Sequence, residues 1–201
     1  MSDRYQNFAE LKAGCRAGRD YNIRMEDRGG RVLVFSPHAG GIEPGTSELV
    51  RAIAGADLSY YLFEGIRSGN NSELHITSHH FDEPRCVGLI EKFEISLALH
   101  GYNKFEPMIY LGGKNERLKE KLKEALTGSF PLQDKNEVGL DGLDPMNICN
   151  RTASGSGAQL EFSTGFRREL FGNLEHESGR RVKSPDFLEL VALIRRAIAD
   201  D

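Results

Sequence analysis

Val32-Leu-Val-Phe35, continued by Ser36-Pro-His-Ala-Gly-Gly-Ile-Glu-Pro-Gly-Thr-Ser47, is the stretch from which the fold is read. Four successive apolar, β-favouring residues closed by Pro37 predict a buried strand. Gly45-Thr46-Ser47 then offers an N-cap to a helix with Leu49, Val50 and Ile53 on one face. Strand, glycine-rich loop and helix in that order open an α/β unit, and such folds place ligands at the carboxyl ends of strands.

Working outward, Leu58–Phe63, Leu74–Thr77, Ile95–Leu99, Met108–Leu111 and Gln159–Phe162 read as further strands. Helices are expected at 84–93, 115–126, 165–172 and 184–199, with a short one carrying Phe8, Leu11 and Cys15 at helical spacing. Residues 129–157 read as loop, with Thr152–Gly157 a mobile turn. The alternation predicts an α/β protein with a mixed, mostly parallel sheet covered by helices on both faces. One domain is expected over residues 1–201, its core at about 20–172, with the N-terminal helix and helix 184–199 as appendages.

Composition sets outer bounds. The chain has 201 residues, 39% hydrophobic and 28% charged, so it can bury a sizeable core. A net charge of −4 gives no field that would gather nucleic acid or an anionic membrane, so neither is an expected partner. No apolar run approaches the roughly 18 to 20 residues of a membrane span. The first residues, MSDRYQNFAELKAGC, lack the apolar core of a secretory signal, so the expectation is cytoplasmic synthesis, with extracellular action only after lysis. Cys15, Cys86 and Cys149 show no CxxC spacing and read as free thiols.

The chemistry is expected around His38. His38 and Glu43 bracket two glycines that let the backbone fold sharply, so both side chains can converge on one point. Imidazole and carboxylate are zinc ligands, and a catalytic zinc takes three protein ligands with one position open for water. His100, at the end of the Ile95–Leu99 strand and before Gly101, supplies the third. Glu161, in the short apolar strand Gln159–Phe162, is the candidate proton carrier that such a hydrolase needs. Arg151 beside Asn150 is the first candidate to grip a carboxylate, Arg85 the second, and Arg67 and Arg167 are further candidates. His75 or His80 is expected to touch substrate or support the metal site.

Several blocks, in one order, resemble the phage-type poly-γ-glutamate hydrolases. They are Pro37–Glu48, Leu74–Ser78 with His80–Pro84, Leu99–Gly101, Cys149–Arg151 and Gln159–Phe162. The resemblance runs from about Asp20 to Arg168. It implies a carboxypeptidase-like α/β fold with one zinc ion on His38, Glu43 and His100, Glu161 as proton shuttle, and an Asn150-Arg151 pair for a substrate carboxylate. It also implies the reaction, hydrolysis of γ-glutamyl amide bonds in the polymer or its oligomers. Ala39 departs from the glycine usual in the family, and the His-to-Glu spacing is longer than the HxxE of ordinary metallocarboxypeptidases. The residues alone support zinc-dependent hydrolysis of an amide near a carboxylate. A zinc deacetylase, an exopeptidase for α-peptides and a non-catalytic glutamate-polymer binding module are the alternatives, with a cysteine hydrolase the weakest. A monomer is the expected state.

Overall fold

The computed structural model describes residues 3–134 and 139–200. Among these residues, seven strands form one sheet: β1 (Tyr21–Glu26), β2 (Val32–Gly40), β3 (Ser59–Gly65), β4 (Ile95–Tyr102), β5 (Ile109–Gly113), β6 (Leu132–Gln133) and β7 (Ala158–Ser163). Their order across the sheet is β1-β3-β2-β4-β7-β5-β6. The central β3-β2-β4-β7 ladder is parallel, while β1 and β5 join it antiparallel. The mixed, mostly parallel sheet is therefore observed.

Strand alternation divides the core into two layers. Val32 and Val34 of β2, Leu97 and Leu99 of β4, and Ala158, Leu160 and Phe162 of β7 belong to one. Against them pack α2 (Thr46–Ala54), α4 (Glu116–Leu126), α5 (Thr164–Leu170) and α7 (Pro185–Ala199). Leu33, Phe35, Tyr61 and Phe63 face the other layer, which is closed by α1 (Phe8–Gly14) and α3 (Pro84–Ile90). Helices thus cover both faces. A further single turn, α6, spans Glu177–Arg180.

The helices start where their caps dictate. Asn115 accepts a hydrogen bond from Leu118 N at the head of α4, whose Leu118, Leu122 and Leu126 are buried. Ser184 caps α7, with Pro185 in the first turn where no N–H is needed. Full burial of each such leucine contributes about 1.5–3 kcal/mol relative to exposure. Among the described residues, no helix is long and apolar enough to cross a membrane.

Four expectations need correction. Helix α7 is no appendage, because Phe187, Leu190 and Ile194 are embedded in the first core layer. Nor is α1, whose Phe8 and Leu11 belong to the second. Leu74–Thr77 is not a strand: a 3-10 turn (Asn71–Leu74) leads into extended chain that joins no ladder. Its period-two pattern arises because Leu74 and Ile76 are buried while His75 and Thr77 turn the other way to bond Asp3. Thr152–Gly157 is tied down, with Ser154 Oγ donating to Glu94 O at 2.7 Å and Thr152 Oγ1 to Ser156 O at 3.0 Å. Within the expected 129–157 loop, residues 135–138 lie outside the described residues, and Leu132–Gln133 forms β6.

Candidate metal and catalytic site

The chain leaves β2 for β3 on one side and later returns to β4 on the other. The carboxyl ends of β2 and β4 therefore meet at the topological switch point, where open α/β sheets form crevices. His38 and His100 stand on either side of it.

Proline decides how His38 gets there. Pro37 has no N–H for the ladder, and β2 shifts register against β3 between Ser36 and Ala39. Even-numbered Val32 and Val34 point to the first core layer, but so does odd-numbered Ala39. The bulge has thus reversed the alternation, which turns His38 onto the opposite face, beside His100. Pro37 does not end the strand; it re-aims it.

Glu43 is brought back by the loop that follows. Its N–H donates to His38 O at 3.0 Å, and its carbonyl accepts from Thr46 Oγ1 at 2.8 Å. Gly40, at φ 68°, passes so close to β3 that a Cβ would stand 2.5 Å from Gly65 O, so only glycine fits. Gly101 N donates to Glu43 Oε2 at 2.7 Å, fixing the carboxylate against the end of β4.

The three groups converge. His38 Nδ1 lies 3.1 Å from His100 Nδ1 and 3.2 Å from Glu43 Oε1, and His100 Nδ1 lies 3.8 Å from Glu43 Oε2. Tetrahedral zinc with bonds near 2.0–2.1 Å separates its ligands by roughly 3.3 Å. The outer nitrogen of His38, Nε2, donates to Ile76 O at 2.8 Å, which leaves the Nδ1 lone pair aimed inward. By contrast, His100 Nε2 is buried with no hydrogen-bond partner among the described residues, so its ring is held by packing and by what its Nδ1 meets. The donor set fits a divalent cation.

His75 stands beside them. Its ring is 4.0 Å from that of His38, its Nε2 is 3.9 Å from Glu43 Oε1, and it groups with His38 and Glu43 as a further candidate ligand. Its Nδ1 is held by Asp3 Oδ1 at 2.7 Å, and the same Asp3 carboxylate accepts from Thr77 N and Thr77 Oγ1.

Burial and charge oppose each other here. Burial favours neutral His38, but the adjacent Glu43 carboxylate overcomes it and raises its pKa. Burial likewise works to raise Glu43, yet His38 and then His100 hold it down at about 2. Burial takes His100 down to about 3, and the charge of His38, then burial, lowers His75. Both of these imidazoles are therefore neutral and available as ligands at ordinary pH.

Glu161 enters from β7, directly opposite His100 in the parallel register. One face of β7 is core; on the other, Gln159, Glu161 and Ser163 are buried polar residues. Glu161 lines a cleft of about 450 Å³ together with His38, Glu43, His75 and His100. Burial, and then repulsion from Glu43, pushes its carboxyl well above the usual range, with Arg167 pulling the other way. A carboxyl raised in this way, in a cleft beside imidazoles, is a candidate proton carrier. Gln159 Nε2 donates to Glu161 Oε1 at 3.2 Å and to Leu140 O at 3.0 Å, which orients the carboxyl.

Other candidates lie elsewhere. Arg151 pairs with Glu91 at 3.2 Å, Arg85 reaches Ile23 O on the outer surface, and His80 meets His79 edge to face; none of the three lines the cleft. Asn150 is buried behind the wall, where its amide donates to Gly142 O and Asp144 O, so it shapes the 139–144 loop rather than facing the cleft. Arg67 is bound to Asp20 and Glu73. Arg167 is buried behind Glu43, donating to Pro44 O at 2.7 Å and to Phe162 O and Tyr102 O. Asp3, Gln159 and Asn147, which donates to Gln159 Oε1, are the residues that sequence reasoning missed.

Comparison with known proteins agrees with this fold. The protein YndL of Bacillus subtilis (strain 168) is 40% identical over 96% of this chain and 77% of its own. The solved structure of a bacteriophage poly-gamma-glutamate hydrolase superposes with a TM-score of 0.95 at 34% identity, covering 99% of this chain and 98% of that one. A zinc-free apo form of YndL superposes at 0.93 with 39% identity over the same shares. The poly-gamma-glutamate hydrolase family model matches residues 5–193. With the family model and the superposed fold in agreement over nearly its whole length, the chain belongs to the poly-gamma-glutamate hydrolase family.

Proposed function

We propose that this chain hydrolyses γ-glutamyl amide bonds of poly-γ-glutamate, with one zinc ion on His38, Glu43 and His100 and with Glu161 carrying the proton. The observation that supports it most is the convergence of three donors at 3.1, 3.2 and 3.8 Å beside a buried carboxyl in one cleft. Zinc, when bound, polarises the scissile carbonyl and acidifies water.

The side chains do the rest. Glu161 accepts a proton from the attacking water as the C–O bond forms, then delivers it to the leaving nitrogen as the C–N bond breaks. Gln159 keeps the carboxyl aimed during both transfers. Glu43, anchored by Gly101 N, stays ionised and offsets the positive charge of the cation. His75, its Nδ1–H held by Asp3, presents the Nε2 lone pair to the cleft and is placed to accept a hydrogen bond from the attacking water.

The test is hydrolysis of poly-γ-glutamate by zinc-loaded protein, read as chain shortening and as release of γ-glutamyl fragments. A chelator should abolish it and added zinc restore it. Activity that survives complete removal of metal would falsify the reading.

A further inference from the structure

A polyanion has to be held by cations. Yet among the described residues lining the catalytic cleft there is no Lys or Arg, while Glu43, Glu161, Asp141 and Asp144 all face it. Behind the same loop lies a second cleft of about 470 Å³. Gly40, Gly41 and Pro44 form its near wall, while His38 and Glu43 of that loop face the catalytic side. Arg24, Arg51, Arg67 and Arg180 line it.

Its charges can be followed group by group. Glu48 is answered by Arg180 at 2.8 Å; at the rim, Glu175 is answered by Arg168 at 2.6 Å and Glu177 by Arg181 at 3.3 Å. Arg67 is committed to Asp20 and Glu73. Arg24 and Arg51 differ, because both rest on one carboxylate. Glu64 Oε2 accepts from Arg24 Nε at 3.0 Å, and its Oε1 accepts from Arg51 Nη2 at 2.7 Å and Ser47 Oγ at 2.8 Å. Two guanidinium groups on one carboxylate leave an excess of one positive charge. Their side chains are 57% and 42% exposed, and the remaining N–H donors have no partner among the described residues. Glu64, itself buried, holds two forks rigidly and half open to the cleft.

We infer that Arg24 and Arg51 form a carboxylate-binding subsite for the polymer, gripping glutamate residues beyond those at the scissile bond. The inference rests on the proposed γ-glutamyl substrate. The polymer passes over the loop that separates the two clefts, alongside Asn71, whose side chain packs on Gly41, and one or two free carboxylates enter the forks. The cationic grip is thereby kept apart from a catalytic cleft that has to remain acidic to hold a metal.

The test compares a long polymer with a short γ-glutamyl dimer or trimer, using zinc-loaded wild type and the R24Q/R51Q double variant. KM for the long polymer should rise about tenfold, equivalent to about 1.4 kcal/mol, with kcat and the constants for the short substrate unchanged. R24K/R51K should recover part of the loss. Equal effects on both substrates, or none, overturn the inference. In wild type, long polymer should shield Arg24 and Arg51 from phenylglyoxal, read peptide by peptide with Arg19 as reference; unshielded arginines overturn the inference even if the double variant does not fold. Failure of the underlying reading looks different, since neither substrate would then be cleaved.

Discussion

Gly101→Ala adds a single methyl group at the end of β4, and its effect can be worked from the surroundings. The new Cβ would stand 2.5 Å from Arg167 Cζ, 2.7 Å from Nη1 and 2.9 Å from Nε. Favourable contacts begin near 3.5 Å, so the guanidinium has to retreat by about 1 Å. It has little freedom to do so, being buried and bonded to Pro44 O, Phe162 O, Tyr102 O and Thr164 Oγ1. Overpacking of this kind costs about 1–3 kcal/mol. At roughly 2–4 °C per kcal/mol for a chain this long, a cost of about 2 kcal/mol lowers Tm by about 4–8 °C. Pro44 follows Glu43, so the displacement is passed to the carboxylate that Gly101 N also anchors. A 1 Å misplacement there lowers kcat about 10²-fold. Circular dichroism melting, zinc content and turnover on γ-glutamyl polymer measure the three effects. A variant with wild-type Tm and kcat refutes the reasoning that Arg167 is a rigid brace for Glu43.

Other outcomes follow from the same geometry. Glu161→Gln should keep zinc and fold but lose about 10²- to 10⁴-fold in kcat, checked by metal analysis beside steady-state kinetics. His100→Ala should lose bound zinc while His75→Ala keeps it and loses turnover; the reverse pattern, read by metal titration, would make His75 the third ligand. Asp3→Asn weakens the hold on His75 and should lower kcat with little change in KM. Burial pushes the Cys86 and Cys149 thiols well up, so iodoacetamide at pH 8 should label neither until the protein is unfolded. Because their folded pKa values lie above the unfolded ones, their contribution to stability is whole below about pH 8.5. It should fall by about 1.4 kcal/mol per thiol per pH unit above that, which denaturation curves from pH 8 to 10 can follow.

Which parts were legible from sequence has a physical pattern. Apolar runs such as Val32–Phe35 and Ile95–Leu99 announce buried strands because side chains apolar on both faces need a packed layer on each side. That His38, Glu43 and His100 come together was legible because glycines and strand ends advertise where the backbone turns. The arginines were not. Arg151 finds Glu91, and Arg85 finds the far side of β1, through contacts more than 50 residues away in sequence that no local pattern encodes. Asn150 carries the polarity of a binding residue but spends it on the carbonyls of Gly142 and Asp144. The role of Pro37 was legible only as a strand end, since a bulge that reverses alternation shows itself only in the register with β3.

The central claim is that two imidazoles and one carboxylate hold a single zinc ion beside Glu161. Anomalous diffraction at the zinc edge, on crystals of protein purified with zinc, locates that ion directly. The account predicts one strong peak about 2.0–2.2 Å from His38 Nδ1, a Glu43 carboxylate oxygen and His100 Nδ1. A peak elsewhere in the chain, or none at these three residues, contradicts it.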